Sequence, residues 1–194
     1  MAHRKVNKHF YVISTVQKKK WSEYDYEFYV DASFRKFQQP GHELCTYSAY
    51  SFLIINDNEI KNIFLSEKFS NIIKSAGKAE LVGIYNVIQY IRKNKKRFKG
   101  KKIIIYCDCK NAVDIINNLG VINNLGILKD AISIEQRPRK TNYIKIADKM
   151  AKIMSTRNKG HLKRAEKRLT NLGITKKPEV INKSKTEFYN IKLQ

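Results

Sequence analysis

Acid is scarce in this chain: 17 Asp and Glu stand against 39 Lys and Arg among 194 residues. Cysteine is scarcer still. Cys45, Cys107 and Cys109 form an odd set with no C-x-x-C spacing, which argues against a disulfide framework and against a paired-cysteine zinc site. They read as small packing residues, Cys107 and Cys109 beside Asp108. Four histidines are present, and neither His42 nor His161 has a partner at a ligand spacing, so both read as surface residues. No run approaches the roughly 20 apolar residues of a transmembrane helix. The stretch "HFYVISTV" is short, broken by Ser and Thr, and lacks a small-residue cleavage pattern, so it does not read as a signal peptide. The expected location is cytoplasmic. No internal repeat is visible.

What is present is positive charge on a globular composition. The formal net charge is +22, and hydrophobic residues make up 42% of the chain, enough for one domain with a sizeable core. A field of that sign and strength attracts polyanions. Nucleic acid is the first expected partner. An acidic membrane surface ranks well below it, because nothing beyond the charge supports one.

Residues 1–20 carry Arg4, Lys5, Lys8 and Lys18–Lys20 with no acid, and the first convincing strand is "EFYVDASF". We therefore expect a basic N-terminal extension over 1–24, a folded domain over 25–155 and a basic tail over 156–194, where eleven Lys and Arg face three Glu. Trp21, Tyr24 and Tyr26 read as strand packing. Residues 43–66 hold two strand-like runs around "NDNE", the composition of a tight reversal, so three antiparallel strands are expected. In "KAELVGIYNVIQYIRK", Leu81, Ile84, Val87, Ile88 and Ile91 recur at helical steps. The run from Arg92 to Lys102 holds eight cations, more than a helix C-terminus needs. "KIIIYCD" is the continuous apolar run of a strand covered on both faces. A short helix "NAVDIINNLG", a strand in "AISIEQRPR" and a helix "NYIKIADKMAKIM" complete the order β-β-β-α-β-α-β-α. The crossover rule sets the fourth strand beside the first. The expected architecture is α/β: a mixed five-stranded sheet, three antiparallel strands then parallel ones, flanked by helices.

Four carboxylates stand out on that frame. Ligands collect beyond the carboxyl ends of strands in open α/β sheets, where Asp108 falls. Asp31 lies on the neighbouring strand, Glu80 opens the first helix, and Asp148 lies in the last. Four acids from four elements can thus meet at one spot, and clustered carboxylates repel or take up protons unless cations join them. Oxygen-only ligation suits Mg²⁺, with Mn²⁺ as the alternative. Two such ions roughly 3.5–4 Å apart serve phosphodiester displacement. A negative pit in a positive protein makes sense when metal fills the pit and the basic surface holds a nucleic-acid backbone.

"YVDASF", "KAELVGIYNVI", "IIIYCDCKNAVDII" and "IADKMAKIM", in this order on these elements, resemble the ribonuclease H family of the RNase H-like superfamily over roughly residues 25–155. The resemblance implies a metal site of Asp31, Glu80, Asp108 and Asp148, and endonucleolytic hydrolysis of the RNA strand of RNA–DNA hybrids. It departs from the family pattern in the loop before the last helix, "RPRKTN", which lacks the usual histidine and bears on turnover. Ile144 stands where an Asn often does. The segment joining the second helix to the fifth strand is too short for a basic protrusion, so the 92–102 run and the chain ends are the expected grip. Ser33, Lys110, Arg137, Arg139 and Lys140 are the candidate substrate contacts. Two other readings remain open: a non-catalytic nucleic-acid-binding or ribonucleoprotein component on the same scaffold, and a DNA resolvase or exonuclease of the superfamily.

Overall fold

The computed structural model describes residues 23–186 apart from Gln39 and Asn158. Lys18–Lys20, Trp21 and almost all of the expected N-terminal extension lie outside the described residues. Strands β1 (Tyr26–Phe37), β2 (Cys45–Asn56) and β3 (Glu59–Ser66) form the expected antiparallel meander. The β2–β3 reversal is the two-residue turn Asp57–Asn58, with φ of 52° and 60°. Asp and Asn tolerate that left-handed region, which is why "NDNE" turns there.

A two-residue strand β4 (Phe69–Ser70) pairs with the start of β2, and helix α1 (Ala76–Lys93) follows. Ser75 caps α1 by accepting from the Lys78 N–H at 3.2 Å. A short helix α2 (Lys95–Phe98) leads into β5 (Ile103–Cys107), which pairs with β1 in parallel, Tyr26 against Ile103 and Tyr29 against Tyr106. Helix α3 (Lys110–Asn118) and a 3₁₀ segment (Val121–Ala131) carry the chain to β6 (Ile132–Gln136), parallel to β5, and α4 (Asn142–Met154) closes the expected set.

The sheet runs β6-β5-β1-β2-β3-β7, with β4 off that path. It therefore has seven strands, not the five expected. Both additions, β4 and β7 (Glu179–Ile181), are too short to show a period in sequence. The alternation of β5 explains its unbroken apolar run. Ile103, Ile105 and Cys107 belong to the core on the α1 and α3 face, and Ile104 and Tyr106 to the core under α4. Gly83 lets α1 lie close to the sheet, because a Cβ there would meet Val30 Cγ2 at 3.1 Å and Tyr50 Cβ at 3.3 Å. Among the described residues, no helix is long and apolar enough to cross a membrane.

The segment expected to be a basic tail is packed over its described part. Helix α5 (His161–Asn171) buries Ala165 and Leu169 in the α4-side core, β7 pairs in parallel with β3, and Thr186 is buried with its hydroxyl 3.2 Å from that of Tyr50. Two buried residues one turn apart are too few to show against so many lysines. A solvated tail would tolerate any change at Leu169. Here Leu169→Ala is expected to lower stability by about 2–5 kcal/mol in urea unfolding, the range for a buried leucine; an unchanged midpoint would detach α5 from the core.

Candidate active site

The parallel pairing of β1 with β5 stops at Tyr29 and Tyr106, while β1 runs on to Phe37 against β2. Asp31 and Asp108 each lie two residues past that last pair, Asp108 just beyond the carboxyl end of β5, and the Asp108 charge acts on Asp31. Glu80 comes down from the first turns of α1, and its Oε2 accepts from the backbone N–H of Ala32 at 3.1 Å. On the opposite face Ser51, the β2 partner of Asp31, donates to the Ala147 carbonyl at 2.6 Å. That bond fixes α4 over the sheet one residue before Asp148. Four elements thus bring four acids to one place.

Asp31 is the centre of the group. It is 0% exposed, and neither carboxylate oxygen has a hydrogen-bonding partner among the described residues. Burial, then the charges of Asp108 and Asp148, push its pKa up to about 8, against a smaller opposing pull from Arg139. Glu80 is raised well above the usual carboxylate range by burial and then by Asp31 and Asp108. Asp148 keeps one buried oxygen, Oδ1, without a partner, and its Oδ2 accepts from Lys152 Nζ at 2.8 Å. Asp108 Oδ2 accepts from Arg139 Nε at 2.6 Å. Both cations are about half-exposed, so neither pair is sealed from solvent.

The donor set fits a hard divalent cation. Buried carboxylate oxygens without partners are costly unless a cation meets them, and three such atoms belong to Asp31 and Asp148. Glu80, Cys107 and Asp108 also offer ligand atoms all within 4.8 Å of one another. Cys107 was not foreseen in this role. Its buried thiol lies 3.6 Å from Glu80 Oε2 and donates to it, so Glu80 is steadied by two donors. The signal in sequence, a cysteine directly before the strand-end acid, does not say which face the thiol takes.

The candidate substrate contacts separate. Lys110, Arg139 and Lys140 are exposed, and Arg139 reaches Asp108. Ser33 is 7% exposed and turned inward, its hydroxyl accepting from Ser155 at 2.9 Å, which corrects its assignment to the nucleic-acid backbone. Its place on the inward side of β1, two residues from Asp31, is the reason. Arg137 is only partly exposed, bonded to the Tyr106 hydroxyl at 2.7 Å and stacked 4.1 Å from that ring. Sequence reading passed over Lys152. Lys152 was legible as the i+4 partner of Asp148, whereas Arg35 reaches Ser155 Oγ at 3.3 Å only through the tertiary fold. Ile144 is fully buried under the sheet.

This sheet order, with three antiparallel strands, two parallel ones and helices on both faces, defines an RNase H-like fold. Solved structures share it. The foamy viral protease-reverse transcriptase in complex with double-stranded DNA matches at 17% identity and a TM-score of 0.51, over 69% of this chain and 95% of that one. The same viral protein in complex with an RNA/DNA hybrid matches at 16% identity and a TM-score of 0.53, over 79% of this chain. This chain spans 24% of the length of that one. LC11-RNase H1, isolated from compost by a metagenomic approach, matches at 9% identity and a TM-score of 0.51, over 68% of this chain and 96% of that one. At these identities the likeness is one of fold. No protein-family model matches the sequence, and no curated protein does.

A carboxyl held near pKa 8 in the folded state and near 4 when unfolded binds more protons folded than unfolded between those values. Stability of the metal-free protein therefore falls as pH rises from about 4 to 8 through this group. Asp31→Asn should remove that loss. Thermal melts in chelator should show the variant gaining on the wild type across this window, by on the order of a few kcal/mol near pH 8. Parallel pH profiles would refute a buried, repelled Asp31.

Proposed function

We propose that this chain is a metal-dependent endonuclease that hydrolyses the RNA strand of RNA–DNA hybrids by a two-metal-ion mechanism. The observation that carries the reading is Asp31, fully buried, with both oxygens unpartnered, among Glu80, Asp108 and Asp148. A simple binding protein of this charge gains nothing from that arrangement and loses stability by it. Asp31, Glu80, Asp108 and Asp148 would hold Mg²⁺ or Mn²⁺. Bound there, the ions would lower the pKa of an attacking water and offset charge on the leaving oxygen.

The rest falls to the protein's own side chains. Glu80, steadied by the Ala32 N–H and the Cys107 thiol, presents its other oxygen in a fixed direction. Arg139 and Lys152 pair with Asp108 and Asp148 and must yield when a divalent cation arrives. Their exposed, flexible stems allow it, and a released Arg139 is then placed to reach a phosphate, with Lys110 and Lys140 beside it. Arg139 comes from the loop that lacks a histidine. An arginine keeps its proton near neutral pH, so it can attract phosphate but cannot relay a proton, and slow turnover follows from that difference.

A second reading rests on one observation. The two ion pairs at Asp108 and Asp148 are what a scaffold without metal would use to neutralise its acids. A ribonucleoprotein component would then bind hybrids without cutting them.

Labelled RNA–DNA hybrid, duplex DNA and duplex RNA, each with Mg²⁺, Mn²⁺ or chelator, separate these readings. Metal-dependent cutting of the hybrid's RNA strand is expected. It should fall at least about 100-fold in Asp108→Asn, the upper end of what substitutions behind a metal ligand cost. Tight binding without cleavage would favour the scaffold, and cutting of branched or duplex DNA alone would favour a resolvase or exonuclease. Calorimetric titration tests the counter-cations: Arg139→Gln and Lys152→Gln should each tighten Mg²⁺ binding by roughly 2–5-fold, the worth of a half-exposed ion pair. Weaker binding would make them supports and not competitors.

A further inference from the structure

The eight cations between Arg92 and Lys102 do not border the acid pit. Helix α1 begins its path with Glu80 at the pit and ends at Lys93, 13 residues on. At 1.5 Å per residue that is about 20 Å. Strand β5 then starts beside the run at Ile103 and returns the chain to Asp108. A phosphate held at the pit is therefore out of reach of these lysines, and at about 0.1 M salt their fields are largely screened from it. The grip expected of this run would therefore act on nucleic acid away from the acid pit.

The run is a built corner, not a loose tail. Phe98 is 0% exposed and packs edge-on against Tyr26, Phe28 and Tyr90, with ring centroids 5.1, 5.8 and 6.2 Å away. Arg97 lies over the Tyr26 and Phe98 rings at 5.5 and 5.4 Å and donates to the Tyr90 hydroxyl at 3.2 Å. Its guanidinium is partly committed to the fold. Lys95, Lys96 and Lys99 sit on the same turn, exposed, with no carboxylate partner among the described residues. Lys101 pairs with Asp25 at 3.6 Å. Beyond Asp25, the residues Glu23, Glu27 and Asp57 line a hollow of about 190 Å³ at the edge of the corner. Cations therefore face outward on the α1–α2 side, and acids bound them on the β1 side.

We infer that the α1–α2 corner, through Lys95, Lys96 and Lys99, is a second nucleic-acid contact surface that binds the phosphate backbone of a duplex independently of metal and of the acid pit. Rigid anchoring by Phe98 removes much of the ordering cost that flexible lysines would meet. Backbone contacts of this kind carry no base readout, so hybrid and DNA duplexes should bind alike. The domain can then hold a long duplex, or a second one, at a point about one α1 length from the acids.

The test uses the full chain in chelator, where binding at the pit is disfavoured by its own charge. Fluorescence anisotropy with an RNA–DNA hybrid and a DNA duplex of equal length is compared with sedimentation on phosphatidylserine vesicles. Lys95→Glu/Lys96→Glu/Lys99→Glu should weaken duplex binding more than about 10-fold and reduce the slope of log K against log salt by about 3. The control Lys163→Glu/Lys167→Glu/Arg168→Glu on α5 makes the same change in net charge and should cost clearly less. Equal losses in the two variants would reduce the effect to net charge and overturn the inference, as would vesicle binding through the corner without duplex binding. Lysine acetylation footprinting of the unsubstituted protein needs no variant to fold: duplex should protect Lys95, Lys96 and Lys99, and protection confined to Lys110 and Lys140 would overturn it. Since no arm reads cleavage, its failure leaves the nuclease reading standing, and loss of cleavage leaves this one standing.

Discussion

Repulsion among carboxylates forced together at the end of β5 is the constraint that the rest of this molecule answers. The register of β1 against β5 sets Asp31 beside Asp108, and neither strand can shift by one residue without turning its apolar side chains to the wrong face. Glu80 and Asp148 then close in from opposite layers. Only smaller opposing pulls, Arg139 first, relieve Asp31, whose pKa is driven up to about 8, chiefly by burial. A fold does not keep such a group for stability, since a neutral residue of that size would serve better. The arrangement is preserved in space by the hydrophobic layers on both sides, which are large enough to carry the cost.

The same layers keep opposite charges apart. Acids gather at the carboxyl end of β5, and a dense cluster of cations sits at the other end of α1, held by the buried ring of Phe98. Where cations do approach the acids, as Arg139 and Lys152 do, they remain partly exposed on long stems. A half-exposed pair is weak and exchangeable, unlike a buried one, which would lock the site. The electrostatic layout of the protein is thus a graded one: sealed carboxylates, loosely attached counter-cations, then a broad positive surface.

Much of the fold was legible because its long elements repeat. Ile84, Val87, Ile88 and Ile91 announce a helix, the run at Ile103–Cys107 announces a doubly covered strand, and "NDNE" announces a turn that needs left-handed residues. The short elements were not. β4 and β7 have two and three residues, and α5 buries only Ala165 and Leu169, so no period rises above their charged neighbours. Ser33 misled for a related reason: alternation places it inward, but a serine two residues from a strand-end acid looks like a surface contact. The hydrogen bonds of Arg35 and Cys107 were not legible, because their partners Ser155 and Glu80 lie 120 and 27 residues away.

By itself the sequence determined the helical and strand periods, the excess of positive charge and the placing of four acids on four separate elements, since these are properties of local order along the chain. Only the tertiary structure decided that Asp31 is the buried centre, that Cys107 steadies Glu80, that Arg139 and Lys152 attend the acids and that the 92–102 run lies away from them. Burial and pairing depend on which distant segments meet across the sheet, and no local pattern carries that distance.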